Sequence, residues 1–269
     1  MNKLALFSVP RSGSSWLGEI LNSSPQVIYK FQPNFAYSFD AELKNDSTKK
    51  EINLFFEKLL KCDDDFVNGK LSISGKKSVL DFKKENQNTL LFKETHYINI
   101  VGNILNKTDI KIIGLLRSPF AVINSWINIP KEFDPSWDLK EEWVEANKKN
   151  EGKATHFFGY KKWKEVCFMF LKFREKYPKQ FYLINYDDLI KNTEYEVKRL
   201  FEFCNLEFTE QTDLFINQSR SNSDGDAYSV FRQKRDDLEW KKKLPDFIHK
   251  EIKNDPEFIK LNKIYQWTL

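Results

Sequence analysis

The chain alternates short apolar runs with stretches of helical periodicity. Leu4-Ala5-Leu6-Phe7-Ser8 is stopped by Pro10 and Gly13 and predicts a buried strand. Ser14 and Ser15 suit a helix N-cap, and Trp16, Leu17, Ile20 and Leu21 then recur at helical spacing as far as Asn22. A second strand is predicted over Val27–Phe31, closed by Pro33, and a helix over residues 51–61. Residues 62–88 are polar and turn-rich and read as a surface excursion. Two strand–helix pairs follow, 89–93 with 97–105 and 110–116 with 120–126. Pro119 stands where proline suits the first helical turn. Residues 138–150 and 155–177 read as helices divided by Gly152, and 181–186 as a strand. Thr193–Cys204 reads as an amphipathic helix, 217–226 as a polar loop, and 246–253 and 256–263 as closing helices. This order implies right-handed crossovers. The expected fold is three-layer α/β, with a central, mainly parallel sheet flanked by helices, in one domain over residues 1–269.

Composition narrows the function. The net charge of +4, with both signs well mixed, admits an anionic ligand but makes no basic stripe, so no nucleic-acid partner is expected. Cys62, Cys167 and Cys204 are odd in number and scattered, which supports neither a disulfide framework nor a zinc site. A reducing, cytoplasmic setting is expected. Residues 1–9 lack the pattern of a leader, and no run reaches the ~18 apolar residues of a membrane span.

Candidate chemistry lies in three segments. The first is Val9-Pro10-Arg11-Ser12-Gly13-Ser14-Ser15-Trp16, where a strand stops, a small-residue loop turns and a helix begins. Unpaired N–H groups at a helix start, two serine hydroxyls and an arginine fork make a site for phosphate or sulfate. It is a P-loop-like cradle without the nucleoside-triphosphatase pattern, because no Lys follows the single Gly. The second segment runs from Arg117 through Ser118 and Pro119 to Ser125. Arg117 closes the longest apolar strand, and Ser125 lies about two helical turns on. Both can face the crevice above the carboxyl ends of the strands. The third is Phe92-Lys93-Glu94-Thr95-His96 at another strand end.

Together these segments resemble the sulfotransferases that use 3′-phosphoadenosine 5′-phosphosulfate (PAPS), whose motifs read P-[KR]-S-G-[ST]-[ST]-W and R-x-P-x-x-x-x-x-S. The resemblance implies that Arg11, Ser12, Gly13, Ser14 and Ser15 bind the 5′-phosphosulfate and that Arg117 and Ser125 bind the 3′-phosphate. Trp16 matches an adenine-stacking residue and equally a core side chain. Residues 229–243, with Arg232, Lys234, Arg235 and Trp240, resemble the basic segment that closes over the nucleotide. Tyr186-Asp187-Asp188-Leu189 resembles the family's Y-[ED]-D-L, with a structural role. The third segment resembles a catalytic K-[ST] or K-T-H strand end with one extra residue. Lys93, with Arg11, suits stabilisation of the leaving oxygen, and Glu94 or His96 suits the base. The early catalytic Glu of carbohydrate sulfotransferases has no counterpart in residues 24–33, where Gln32 cannot act as a base and is read as a ligand-binding residue. The implied reaction moves a sulfuryl group from PAPS to an acceptor hydroxyl on a glycan, another cell-surface molecule or a small molecule, without a metal. The alternatives are an ATP-dependent small-molecule kinase of the P-loop class and a non-catalytic nucleotide-binding relative.

Overall fold

The computed structural model describes residues 1–70, 80–222, 228–231, 233 and 237–269. Five strands form one sheet: β1 (Asn2–Phe7), β2 (Val27–Phe31), β3 (Thr89–Glu94), β4 (Lys111–Leu116) and β5 (Phe181–Asn185). Their spatial order is β2-β3-β1-β4-β5, and every pairing is parallel. Phe7, the last residue of β1, pairs with Glu94 on one side and Gly114 on the other. Chain order therefore reverses around β1, which opens a crevice at the carboxyl edge between β3 and β4.

The first half of the chain holds helices α1 (Ser14–Asn22), α2 (Lys49–Leu60), α3 (Val101–Lys107, entered through a 3₁₀ turn at Ile98–Ile100) and α4 (Pro119–Ile127). The middle holds α5 (Leu139–Glu145), α6 (Asn147–Asn150), α7 (Tyr160–Lys176), α8 (Tyr186–Lys191) and α9 (Thr193–Cys204). The remainder holds α10 (Glu210–Ser221), α11 (Trp240–Lys243), α12 (Asp246–Asn254) and α13 (Pro256–Tyr265). Alternation along the strands builds a core on each face. Ala5 and Phe7 pack with α2, α3, α4 and α7, while Leu4 and Leu6 pack with α1, α9 and α10. On the first face Phe7, Phe55, Phe56 and Phe92 meet at centroid separations of 5.6–5.9 Å. Burying each such ring contributes roughly 1.5–3 kcal/mol.

Three expectations shift. The helix predicted from 155 begins at Tyr160, because Asn150 clamps Phe158 with hydrogen bonds to both its N–H and its carbonyl at 3.1 and 3.0 Å. The polar loop expected at 217–226 starts later: residues 217–221 complete α10, whose Thr212, Phe215, Ile216 and Ser219 form a buried stripe. Tyr186 opens α8 rather than closing β5. Arg232, Lys234 and Arg235 lie outside the described residues. No helix among those described is long and apolar enough to cross a membrane.

The first of these cores is tight at β4. A Cβ on Gly114 would lie 2.6 Å from Phe181 Cζ and 2.8 Å from Phe170 Cδ2. Gly114→Ala should therefore destabilise the fold by roughly 1–3 kcal/mol, through overpacking of two buried rings. A lower urea midpoint at unchanged slope is the expected reading.

Candidate functional site

The loop after β1 is shaped by two left-handed residues, Arg11 (φ 69°) and Gly13 (φ 90°). Gly13 is the N-cap of α1, and no side chain caps the helix. Ser14 and Ser15 thus lie inside the first turn and not at the cap, which leaves the helix-start N–H groups turned into the loop. A side chain on Gly13 would collide with the ring of Tyr186 and would also have to adopt a left-handed φ. The hydroxyls of Ser8, Ser12 and Ser118 are buried without a hydrogen-bond partner. Buried polar atoms are normally satisfied, so unused donors at the ends of β1 and β4 fit an oxyanion ligand.

The second segment is tied directly to the first. Arg117 Nη1 donates to the Arg11 carbonyl at 2.6 Å, and Arg11 Nε donates to Ser125 Oγ at 3.2 Å. The remaining fork of Arg117 is bidentate on Asp237, with Nε and Nη2 at 2.6 and 2.5 Å from its two oxygens. That ion pair is almost dry, its side chains being 8% and 5% exposed. Burial works against the guanidinium charge, and Asp237 more than offsets it, so the pKa of Arg117 stands above its ordinary value. Tyr186 supplies the floor, its ring 4.9 Å from the Arg117 guanidinium, and Trp163 Nε1 donates to the Arg117 carbonyl at 3.0 Å. Arg11 lies 5.3 Å from the ring of Tyr228. Burial, and next the charge of Asp237, raise Asp187 to about 6.

Trp16 borders the loop. Its indole N–H donates to Ser219 of α10 at 2.9 Å, and its ring meets Tyr186 edge-on at 6.1 Å. Trp240, in the basic segment, stacks on Phe120 at 4.7 Å and on His249 at 5.5 Å, so it is a buried core side chain.

The end of β3 carries the third segment. Lys93 is only 2% exposed, and its ammonium rests over the ring of Phe31 at 4.3 Å. Among the described residues it makes no hydrogen bond, and burial holds its pKa below the ordinary lysine value. Glu94 is fully buried on the next position, and that burial raises its pKa. Its carboxylate accepts the backbone N–H groups of Thr95, His96 and Phe35 at 3.1, 3.3 and 3.3 Å. Both of its oxygens are thus engaged in shaping the loop. The His96 ring stacks on Phe35 at 4.3 Å and meets His156 edge-on at 4.9 Å. Burial, and next His156, lower its pKa to about 3, so the imidazole is neutral. Thr95 Oγ1 donates to Gln32 Oε1 at 2.6 Å and lies 3.5 Å from His96 Nδ1.

The fold thus gathers Arg11, Ser12, Gly13, Ser125 and Arg117 around one loop, with Lys93, Glu94 and His96 at the neighbouring strand end. Sequence reasoning missed Asp237, whose acidic neighbours and distance from Arg117 in the chain give no signal. It assigned Tyr186 to structure in general. The readable clue there is an aromatic at the carboxyl end of a strand next to Arg117's.

The sulfotransferase domain family model matches residues 2–255. No curated protein matches the sequence. Among solved structures, a sulfotransferase from Alicyclobacillus acidocaldarius aligns with TM-score 0.58 at 11% identity, over 100% of this chain and 97% of that one. A mouse sulfotransferase, SULT7A1, complexed with PAP aligns with TM-score 0.56 at 13% identity, over 98% and 88%. A retinol dehydratase in complex with androsterone and inactive cofactor PAP aligns with TM-score 0.55 at 14% identity, over 97% and 80%. At these identities the structures speak for the fold, and the domain match speaks for the family. Since that match runs through nearly the whole chain, the protein belongs to the sulfotransferase domain family.

Proposed function

We propose that the protein transfers the sulfuryl group of PAPS to an acceptor hydroxyl on a glycan or another cell-surface molecule, with residues 1–269 acting as one domain. Arg11, Ser12, Gly13, Ser14 and Ser15 hold the 5′-phosphosulfate, Arg117 and Ser125 hold the 3′-phosphate, and Trp16 lies beside the adenine. The observation that carries this reading is the joining of the two segments through Arg11–Ser125 and Arg117–Arg11. One site then meets phosphates at both ends of a nucleoside. The unpartnered hydroxyls of Ser12 and Ser118 and the bare ammonium of Lys93 support it.

In the reaction the acceptor oxygen forms a bond to sulfur as the bond from sulfur to the 5′-phosphate oxygen breaks. Adenosine 3′,5′-bisphosphate (PAP) leaves. On geometry the acceptor proton is assigned to Nε2 of His96, because three amides take up the Glu94 carboxylate, although burial makes His96 the weaker base of the two. A positioned base of this kind contributes roughly 10²–10⁴-fold. Lys93 and Arg11 neutralise charge growing on the leaving oxygen, from a site held dry enough for that to count. Screening PAPS against glycans and small alcohols by mass shift tests the acceptor class. Absence of transfer to any hydroxyl, with PAP still bound, leaves only a nucleotide-binding relative.

Arg117 and Ser125 predict that PAP binds more tightly than adenosine 5′-monophosphate. Charge-assisted hydrogen bonds of roughly 1.5–3 kcal/mol correspond to about 10–100-fold. Equal affinities by calorimetry would remove the 3′-phosphate assignment. The Asp237 carboxylate occupies the fork that this phosphate needs and is its stand-in. Asp237→Asn should then tighten PAP by about tenfold, as a competing contact of the free protein weakens.

The pH dependence follows from the two flanking groups. Lys93 acts as a cation, and its form is lost as pH rises through a pKa that burial has lowered. Thus kcat/KM for PAPS should fall on the alkaline side well below the ~10.4 of an ordinary lysine. Lys93→Arg should move that limb upward, and Lys93→Ala should cost about 10²–10³-fold in turnover. His96 acts neutral and is protonated only as pH falls through about 3, so no acid limb should appear near ~6.5.

A further inference from the structure

Gln32 holds an unusual position for a residue that cannot transfer a proton. It follows β2 directly, and its backbone sits at φ 41°, in the left-handed region that non-glycine residues avoid. Its own N–H donates to the Lys93 carbonyl at 2.8 Å, and its carbonyl accepts from Ala36 N at 3.0 Å. Those contacts pin it beside the end of β3. Its side chain is 3% exposed and so is aimed into protein. Strained, buried residues of this kind cluster at functional sites.

The carboxamide meets one side-chain donor. An amide oxygen cannot donate, so the single hydroxyl proton of Thr95 is the one in the 2.6 Å hydrogen bond to Gln32 Oε1. The hydroxyl then has only lone pairs left for His96 Nδ1, 3.5 Å away. An imidazole nitrogen facing lone pairs holds its ring's proton, and the other nitrogen is left bare. Elsewhere the ring is held by shape. Phe35 covers one face with an interplanar angle of 16°, and His156 meets it edge-on at 74°. Among the described residues, Nδ1 is the only ring nitrogen with a hydrogen-bonding contact. The Glu94 carboxylate fixes the turn on which Thr95 and His96 stand.

We infer that Gln32 is a positioning residue, which through the Thr95 hydroxyl holds His96 in the Nδ1–H tautomer and so leaves Nε2 open to accept the acceptor's proton. This rests on His96 being the base, but the tautomer itself does not. The ring is neutral at working pH, so a tautomer is defined throughout. A proton already on Nε2 would leave only Nδ1, 3.5 Å from the Thr95 hydroxyl, to take up another.

The test is long-range ¹H–¹⁵N correlation of the imidazoles in the full chain at neutral pH. The signals of His96 are identified by their loss in His96→Gln. The wild-type protein should show a protonated Nδ1 and a bare Nε2 at His96. Gln32→Leu and Thr95→Val should each lower the Nδ1–H population several-fold, and Thr95→Ser should restore it. His156 and His249 should be unmoved by Gln32→Leu. An Nε2–H tautomer in the wild type would overturn the inference, and so would a tautomer unaltered in both Gln32→Leu and Thr95→Val. If one of those two fails to fold, the other decides together with Thr95→Ser. Release of PAP from PAPS, with 4-nitrophenol as the probe acceptor, separates the underlying reading. Gln32→Leu should lower kcat about tenfold while KM for PAPS stays within about twofold. Full turnover in His96→Gln, with the wild-type tautomer as stated, would remove His96 as base and leave the tautomer assignment standing.

Discussion

Arg117 is where the two halves of the site become one. It closes β4, yet its guanidinium donates to the carbonyl of Arg11 in the loop after β1 and lies over Tyr186 at the end of β5. Tyr186 in turn fills the space that a side chain on Gly13 would need. One cation thereby fixes the spacing between three strand ends. Removing it would leave the left-handed turn at Arg11 without its brace and would take from Asp237 its bidentate ion pair with Arg117. The rest of the site inherits its geometry from that arrangement, because Arg11 reaches Ser125 only while its backbone is held there.

The parallel sheet was legible because its strands are buried on both faces and read as unbroken apolar runs, as in Lys111–Leu116. The first loop and the Arg117–Ser125 spacing were legible because local chemistry sets them: a glycine turn, a helix start, a proline at N1. What escaped depends on tertiary contact. The last turn of α10 has polar side chains, and it is helical because Phe215 and Ile216 bury against the α1 face. Residues 155–158 lie before α7 rather than within it, where Asn150 binds both backbone groups of Phe158. The three amides that the loop places against the Glu94 carboxylate are likewise invisible in a sequence. Gln32 meets Thr95, 63 positions away in the chain, a contact that sequence spacing does not show.

The site is also a local store of unfavourable energy. An ammonium taken from water costs several kcal/mol unless it is paired, and a cation–π contact returns roughly 0.5–2 kcal/mol. Lys93 has such a contact with Phe31 and no hydrogen bond among the described residues. Ser8, Ser12 and Ser118 add buried hydroxyls without partners. The phenylalanine-rich cores on the two sheet faces are what tolerate this, since each buried ring contributes as much as one unsatisfied group costs.

That balance gives the empty and loaded proteins different electrostatics. With no nucleotide, Asp237 neutralises Arg117, while Lys93 is left with its charge poorly solvated and its pKa depressed. In the proposed function, an anion arriving in the loop gives Lys93 and the serine hydroxyls hydrogen-bond partners and competes with Asp237 for the arginine fork. Binding therefore relieves strain that folding has already built in, and it stabilises the folded chain by RT ln(1 + [L]/Kd). In the proposed reaction, the burial that depresses the pKa of Lys93 and makes it costly in the free protein also makes it a sensitive donor when negative charge grows on the leaving oxygen. A solvated lysine at that position would cost the fold less and would stabilise the transition state less, because water would already have satisfied it.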